Sequence, residues 1–234
     1  MSLARWLMLI GVIGLMAISF GAGRAIPGFK ARQEAEALRR ERVPDTMRSQ
    51  HFRSRVSQFR ELKSRPTTIM IGDSLTANGN WNEWLGPSVA NRGIGSDTAL
   101  GLLGRIEAST PASAERVFLM IGLNDLRTFQ VPPAKVAGWT AQTVGKLKGR
   151  QVYLQSVLYT RQPKLNERIT ALNALNRRLC ETGACTYVDL NRVIAPDLLL
   201  PQDLTFDGRH LAGRGYRLWA DAIRPLIPEP AGAH

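Results

Sequence analysis

From Pro66 onward the 234-residue chain predicts an α/β domain built on a five-stranded parallel sheet, and three observations carry that expectation. Short β-branched or apolar runs alternate with longer amphipathic stretches, which is the pattern of strands and covering helices in a parallel sheet. The turns closing the first three runs are dense in Gly, Asp, Ser and Asn, the polar groups expected at the carboxyl ends of such strands. Roughly 160 residues also suffice for one domain with a substantial core and not for two.

Taken in order, the strands are expected at 67–71, 89–92, 117–121, 152–157 and 186–190, where β-branched and apolar residues cluster between turn signals. The helices between them are expected near 98–108, 133–147, 165–180 and 213–226, the second opening with Pro133 at a favoured first-turn position. Residues 229–234 read as a frayed tail.

Two segments precede the domain. Residues 6–22 form an uncharged, mostly apolar run behind Arg5, which fits either a short membrane span or the apolar part of a signal peptide. Small residues at 19–23 would suit a peptidase, but no A-x-A site is present, so residues 1–23 are read as an uncleaved anchor. Residues 24–65 carry charges at helical spacing with scattered apolar positions such as Phe52, Val56 and Phe59, and read as a basic helical stalk broken near Pro44.

The net charge of +12 suggests nucleic acid until its distribution is considered. Residues 1–65 hold a net +8 and residues 66–234 only +4, so the excess sits behind the apolar run, where anionic lipid headgroups are the nearest partner. A mildly basic domain without groove-reading elements predicts no nucleic-acid partner. The side of the membrane is contested by two signals. Arg24, Lys30, Arg32, Arg39, Arg40 and Arg42 would hold the domain in the cytoplasm under the positive-inside rule. Cys180 and Cys185, separated by a short loop, could form a disulfide that persists only in an oxidising compartment, or could be two unrelated buried thiols. We expect a single-pass protein with a periplasmic or otherwise extracytoplasmic domain.

The chemistry is read from the histidines. The chain has three, of which His51 lies in the stalk and His234 ends the sequence, leaving His210 as the base that titrates near neutrality. Asp207, three residues earlier in D-G-R-H, can fold back to accept the Nδ1 proton and turn Nε2 toward a nucleophile. Ser74, in G-D-S-L-T at a strand-to-helix turn, is the natural nucleophile, although Asp73 or Ser74 could equally be a helix cap. It is not the G-x-S-x-G elbow of the α/β-hydrolases, since Thr76 stands where the second glycine belongs. A tetrahedral intermediate needs donors for its oxyanion, and three are available: the Ser74 N–H, an N–H in the Gly95-Ser96 turn, and the Asn124 side-chain amide.

At these residues the chain resembles the SGNH hydrolases, also called the GDSL family, over nearly all of residues 67–227. G-D-S-L-T at 72–76, N-R-G-I-G-S-D-T at 91–98, G-L-N-D at 122–125 and D-G-R-H at 207–210 look like the four family blocks in order. The resemblance implies a flavodoxin-like three-layer α/β/α sandwich over residues 66–228 and roles for Ser74, Asn124, Asp207 and His210 that agree with those above. The family's second block usually supplies a glycine as donor, and here that position is Ser96. A serine N–H can serve if the backbone permits, which leaves the local turn shape open. Asp97 reads as a helix cap.

The function expected is a serine ester hydrolase acting on a small acetyl-like ester of a glycan or lipid. Alternatives are an acyltransferase using the same acyl-enzyme, or a membrane-tethered binding protein without turnover. Two cysteines and one well-placed histidine leave no zinc cluster, and neither a phosphate loop nor a dinucleotide fingerprint occurs, so no cofactor or metal is expected. Trp81 and Trp84 fit either a pocket wall or simple packing.

Overall fold

The computed structural model describes residue 47 and residues 49–228. The apolar run at 6–22, most of the stalk and the tail at 229–234 lie outside the described residues, so the expected N-terminal helix does too. Among the described residues no helix is long and apolar enough to cross a membrane.

Five parallel strands, β1 (Thr68–Gly72), β2 (Val89–Gly93), β3 (Arg116–Met120), β4 (Gln151–Gln155) and β5 (Thr186–Val188), pair in the order β2-β1-β3-β4-β5. This is the flavodoxin-like strand order. Every residue of β1 is buried, which happens when both faces of a sheet are covered. Helices α1 (Gln50–Glu61), α2 (Ser74–Ala77), α3 (Trp81–Leu85), α4 (Ala99–Ser109), α5 (Leu123–Arg127), α6 (Pro133–Lys146), α7 (Pro163–Glu181), α8 (Asn191–Ile194) and α9 (Gly213–Ile223) provide the cover. Helices α4, α6 and α7 pack side by side in one group, while α9 packs with α3 and α8 in another. Each strand and each of α4, α6 and α7 lies within two residues of its expected ends, while α9 stops three residues short, at Ile223, where a 3-10 turn over Arg224–Leu226 continues the chain. The short helices α2, α3, α5 and α8 are one-turn pieces too brief to show a periodicity.

Sequence explains the core. Ile69, Met70 and Ile71 on β1 and Val117, Phe118 and Leu119 on β3 are fully buried, and Phe118 stacks on its registered partner Tyr153 with ring centroids 4.6 Å apart. Trp81 settles the choice left open above: it is wholly buried, edge-on to Trp219 at 4.8 Å and to Tyr216 at 5.9 Å, and its indole N–H donates to Thr76 O. It packs the core and lines no pocket. Cys180, near the end of α7, and Cys185, just before β5, are disulfide-bonded.

One boundary moves. Residues 50–61 were assigned to the stalk, but α1, capped by Ser49 through the Phe52 N–H, buries Phe52, Val56 and Phe59 against Ile94 and packs on α4. These three positions form one helical face at i, i+4 and i+7, and the apolar area they remove from water is the reason the helix is docked. Helix α1 therefore packs with the sheet domain, upstream of the expected boundary at Pro66.

Candidate active site

In this strand order the connections run to opposite sides on leaving β1 and β3, so a crevice opens at the carboxyl ends of those two neighbours. The loops after β1, β2 and β3 meet there, joined by the long segment after β5.

The first loop holds Ser74. Gly72 is required at the end of β1 because a Cβ there would lie 2.2 Å from Met120 O and 2.4 Å from Thr76 Oγ1. Asp73 then caps α2, its Oδ1 accepting the Leu75 N–H at 3.0 Å. The capping duty belongs to Asp73, which leaves the Ser74 hydroxyl free to meet His210 Nε2 at 2.9 Å. As the first residue of a helix, Ser74 also has an N–H without an intrahelical acceptor. Asn91, whose contribution the sequence did not disclose, holds this loop in place. Its amide donates to Thr76 O, Ala77 O and Gly79 O and its oxygen accepts the Gly93 N–H.

The second loop holds Ser96, which is exposed and has φ 62°, in the left-handed region. That conformation favours glycine and costs a serine about 1 kcal/mol. The Ser96 N–H is not taken up by any hydrogen bond among the described residues. Asp97, read from sequence as a helix cap, is not one: Thr98 caps α4 through the Gly101 N–H, while Asp97 is fully buried and ion-paired to Arg105 at 2.8 Å. Burial pulls the Asp97 carboxyl up and the Arg105 guanidinium down, and each opposes the shift of the other.

The third loop holds Asn124 behind Gly122, whose φ of 127° suits only glycine. Asn124 Nδ2 donates to Asp97 O at 2.9 Å, and next to it Asp125 Oδ2 accepts the Ala99 N–H at 2.9 Å. The second and third loops are thereby tied together, and the second hydrogen of the Asn124 amide is left for another acceptor. Asp73 and Asp125 are both pushed up to about 7, chiefly by burial.

The last segment supplies Asp207 and His210. A bridge between Thr205 and Leu211 closes a projecting tip over residues 206–210, where Phe206 is 92% exposed. Asp207 Oδ2 lies 2.6 Å from His210 Nδ1, while its Oδ1 accepts the N–H groups of Arg209 and His210. Desolvation alone would raise Asp207, but the hydrogen bonds from the His210 ring, the His210 N–H and the Arg209 N–H, with the histidine charge, outweigh it and hold the carboxyl well below the usual range. Arg209 Nε also lies 3.3 Å from Asp207 Oδ2, a neighbour the sequence reading passed over although it stands inside D-G-R-H. With Nδ1 bonded to a carboxylate and Nε2 facing Ser74, the ring has the tautomer of a general base.

The structure thus brings Ser74, Asp207 and His210 into one hydrogen-bonded line, with Asn124 joined to the Ser96-Asp97 turn beside it. No group of His, Cys, Asp and Glu with metal-binding spacing occurs among the described residues. Such an arrangement can activate a hydroxyl and stabilise an oxyanion next to it.

Residues 70–218 match the model of the GDSL-like lipase/acylhydrolase family. The chain belongs to that family. Solved GDSL-type structures share its fold at low identity. A Streptococcus pneumonia protein assigned provisionally as a platelet activating factor aligns over 83% of this chain and 98% of its own with 20% identity and a TM-score of 0.70. A GDSL-like lipase from Bacteroides thetaiotaomicron aligns over 74% and 95% with 19% identity and a TM-score of 0.59. A mutant of an acetyl-xylooligosaccharide esterase from Geobacillus stearothermophilus aligns over 71% and 96% with 20% identity and the same TM-score, 0.59. No curated protein sequence matches the chain. Helix α1 precedes the part of the chain that the GDSL family model covers.

Proposed function

We propose that this GDSL-family chain is a serine ester hydrolase that cleaves small acetyl-like esters of a glycan or lipid. The observation that carries the reading is the continuous line from Asp207 through His210 to Ser74, with contacts of 2.6 and 2.9 Å. Ser74 Oγ attacks the ester carbonyl as His210 Nε2 takes its proton, and the oxyanion accepts hydrogen bonds from the N–H groups of Ser74 and Ser96 and from Asn124 Nδ2. Collapse breaks the ester C–O bond and the imidazolium gives its proton to the departing alcohol. Water, deprotonated by the same nitrogen, then attacks the acyl-enzyme, and the acid leaves as Ser74 recovers its proton.

Hydrolysis is preferred to acyl transfer because the base side of the site is open, with the His210 side chain 29% and the Asp207 side chain 39% exposed. Transfer to an acceptor other than water is helped by a closed, dry cleft. The acetyl-like substrate is supported by the name of the Geobacillus esterase above and by the shared family. We further propose that residues 6–22 tether the chain to a membrane and that the domain faces an oxidising compartment, supported by the apolar run and by the Cys180–Cys185 bond.

The test is hydrolysis of p-nitrophenyl esters of rising chain length by the full chain and by Ser74→Ala. Turnover of the acetyl ester that disappears in the variant is the expected result. Turnover that survives the substitution, or a wild-type chain that neither turns over nor is labelled at Ser74 by a fluorophosphonate, would defeat the reading.

A further inference from the structure

Arg105, in the middle of α4, is only 2% exposed, and its guanidinium makes four hydrogen bonds. Nε donates to Asp97 Oδ2 at 2.8 Å, Nη1 to Arg92 O and Ser109 Oγ at 2.9 Å each, and Nη2 to Gly72 O at 2.9 Å. The acceptors other than Ser109 lie in or just before the loops that build the site. Gly72 O ends β1 one residue before Asp73 and two before Ser74. Arg92 is the last residue but one of β2, and Asp97 directly follows Ser96. The Asp97 carbonyl in turn receives the Asn124 amide. One rigid planar cation therefore reaches, directly or through Asp97, the loops that bear Ser74, Ser96 and Asn124.

Beneath it stands Phe59 of α1, with its ring centroid 5.8 Å from the Arg105 Cζ and 5.3 Å from the Arg92 Cζ. An arginine over an aromatic face is held in orientation as well as attracted. A lysine would bring one charge without the fork that spans these acceptors.

We propose that Arg105 is a positioning residue of the acyl-transfer site, fixing the spacing between the nucleophile turn and the oxyanion turn, and that α1 supports it through Phe59. The proposal rests on the esterase reading and extends it to a helix outside the GDSL family match. Arg105 touches no reacting atom. Its effect is on donor placement, where a displacement on the order of 1 Å costs about 100-fold in rate.

The experiment measures kcat, KM and the rate of fluorophosphonate labelling of Ser74 in the full chain, for the wild type, Arg105→Lys, Phe59→Leu and Ser109→Ala, each well below its own unfolding midpoint. Arg105→Lys is expected to lower kcat and the labelling rate by roughly 100-fold while KM stays within about 2-fold. Phe59→Leu and Ser109→Ala, which keep the cation and loosen its seating, are expected to lower kcat by about 3- to 10-fold with KM again unchanged. A folded Arg105→Lys with wild-type kcat overturns the proposal. If Arg105→Lys does not fold, wild-type kcat in both milder variants overturns it, and the expected fall in kcat at constant KM sustains it. A wild-type chain that is neither active nor labelled is a different failure, which removes the esterase reading itself.

Discussion

The two sides of the proposed active site are built on opposite terms. The base side, residues 205–211, is a surface tip: Asp207 and His210 are part-exposed, and the carboxylate is held by N–H groups two and three residues along the same loop. The oxyanion side is interior. Asp73, Asp97, Arg105 and Asp125 are all 0–2% exposed, and their bonds cross from strand to strand and loop to loop. The difference follows from the tasks. A base must exchange protons with substrate and water, so it needs access. Donors to an oxyanion act by being in place beforehand, so they need a frame that does not relax.

That contrast can be broken by substitution. Asp207→Asn is expected to lower kcat by about 10⁴-fold, because the amide stabilises the wrong tautomer of His210. Its urea unfolding midpoint should fall only slightly, because the lost charge is part-exposed and the amide oxygen can still accept the Arg209 and His210 N–H groups, and a loss as large as that expected for a buried ion pair would show that the tip is structural after all. Asp97→Asn strikes the frame itself, and its largest effect is on stability. It leaves Arg105 as an uncompensated buried charge and is expected to cost about 3 to 5 kcal/mol in chemical unfolding.

The buried carboxyls also predict a pH signature. Asp73 has a folded pKa of about 7 against roughly 3.9 for an unfolded aspartate. Between those values the folded chain binds more protons than the unfolded one, so stability falls as pH rises through that window and levels off above it. Asp73→Asn, which can still cap α2, is expected to flatten part of that decline in melting temperature between about pH 4 and pH 7, the other raised carboxyls, Asp125 and Asp97, sustaining the rest. An unchanged slope would place Asp73 outside the titration. The smallest effect expected is that of Ser96→Gly, which relieves the left-handed backbone and should raise stability by up to about 1 kcal/mol with kcat within about 2-fold. A large loss of kcat would instead assign the Ser96 side chain a direct part.

The base side was legible in the sequence because its parts are adjacent: Asp207 and His210 lie three residues apart and need no tertiary information to be paired. The strands were legible for the same local reason, as apolar runs between turns. Arg105 was not, since an arginine inside G-L-L-G-R-I-E-A-S reads as one solvent-facing position of an amphipathic helix. Its partners, Asp97, Gly72 and Arg92, are 8 to 33 residues away, and only the sheet order brings them to one point. Phe52, Val56 and Phe59 did carry a signal, the i, i+4, i+7 spacing of one helical face, which the density of charges around it concealed. Asp97 was misread because Asp and Thr are both good caps, and which of two neighbours takes that place depends on whether a buried cation competes for the acid.

The assignment of the helix cap to Asp73 has a consequence for how such a chain can change over time. Ser74 carries no part of the architecture, so replacing it by an alanine or glycine leaves fold, crevice and oxyanion donors as they are. On the proposed mechanism, catalysis and scaffold are then separable by a single codon, and a descendant of this protein could keep the crevice as a receptor for esters it never turns over.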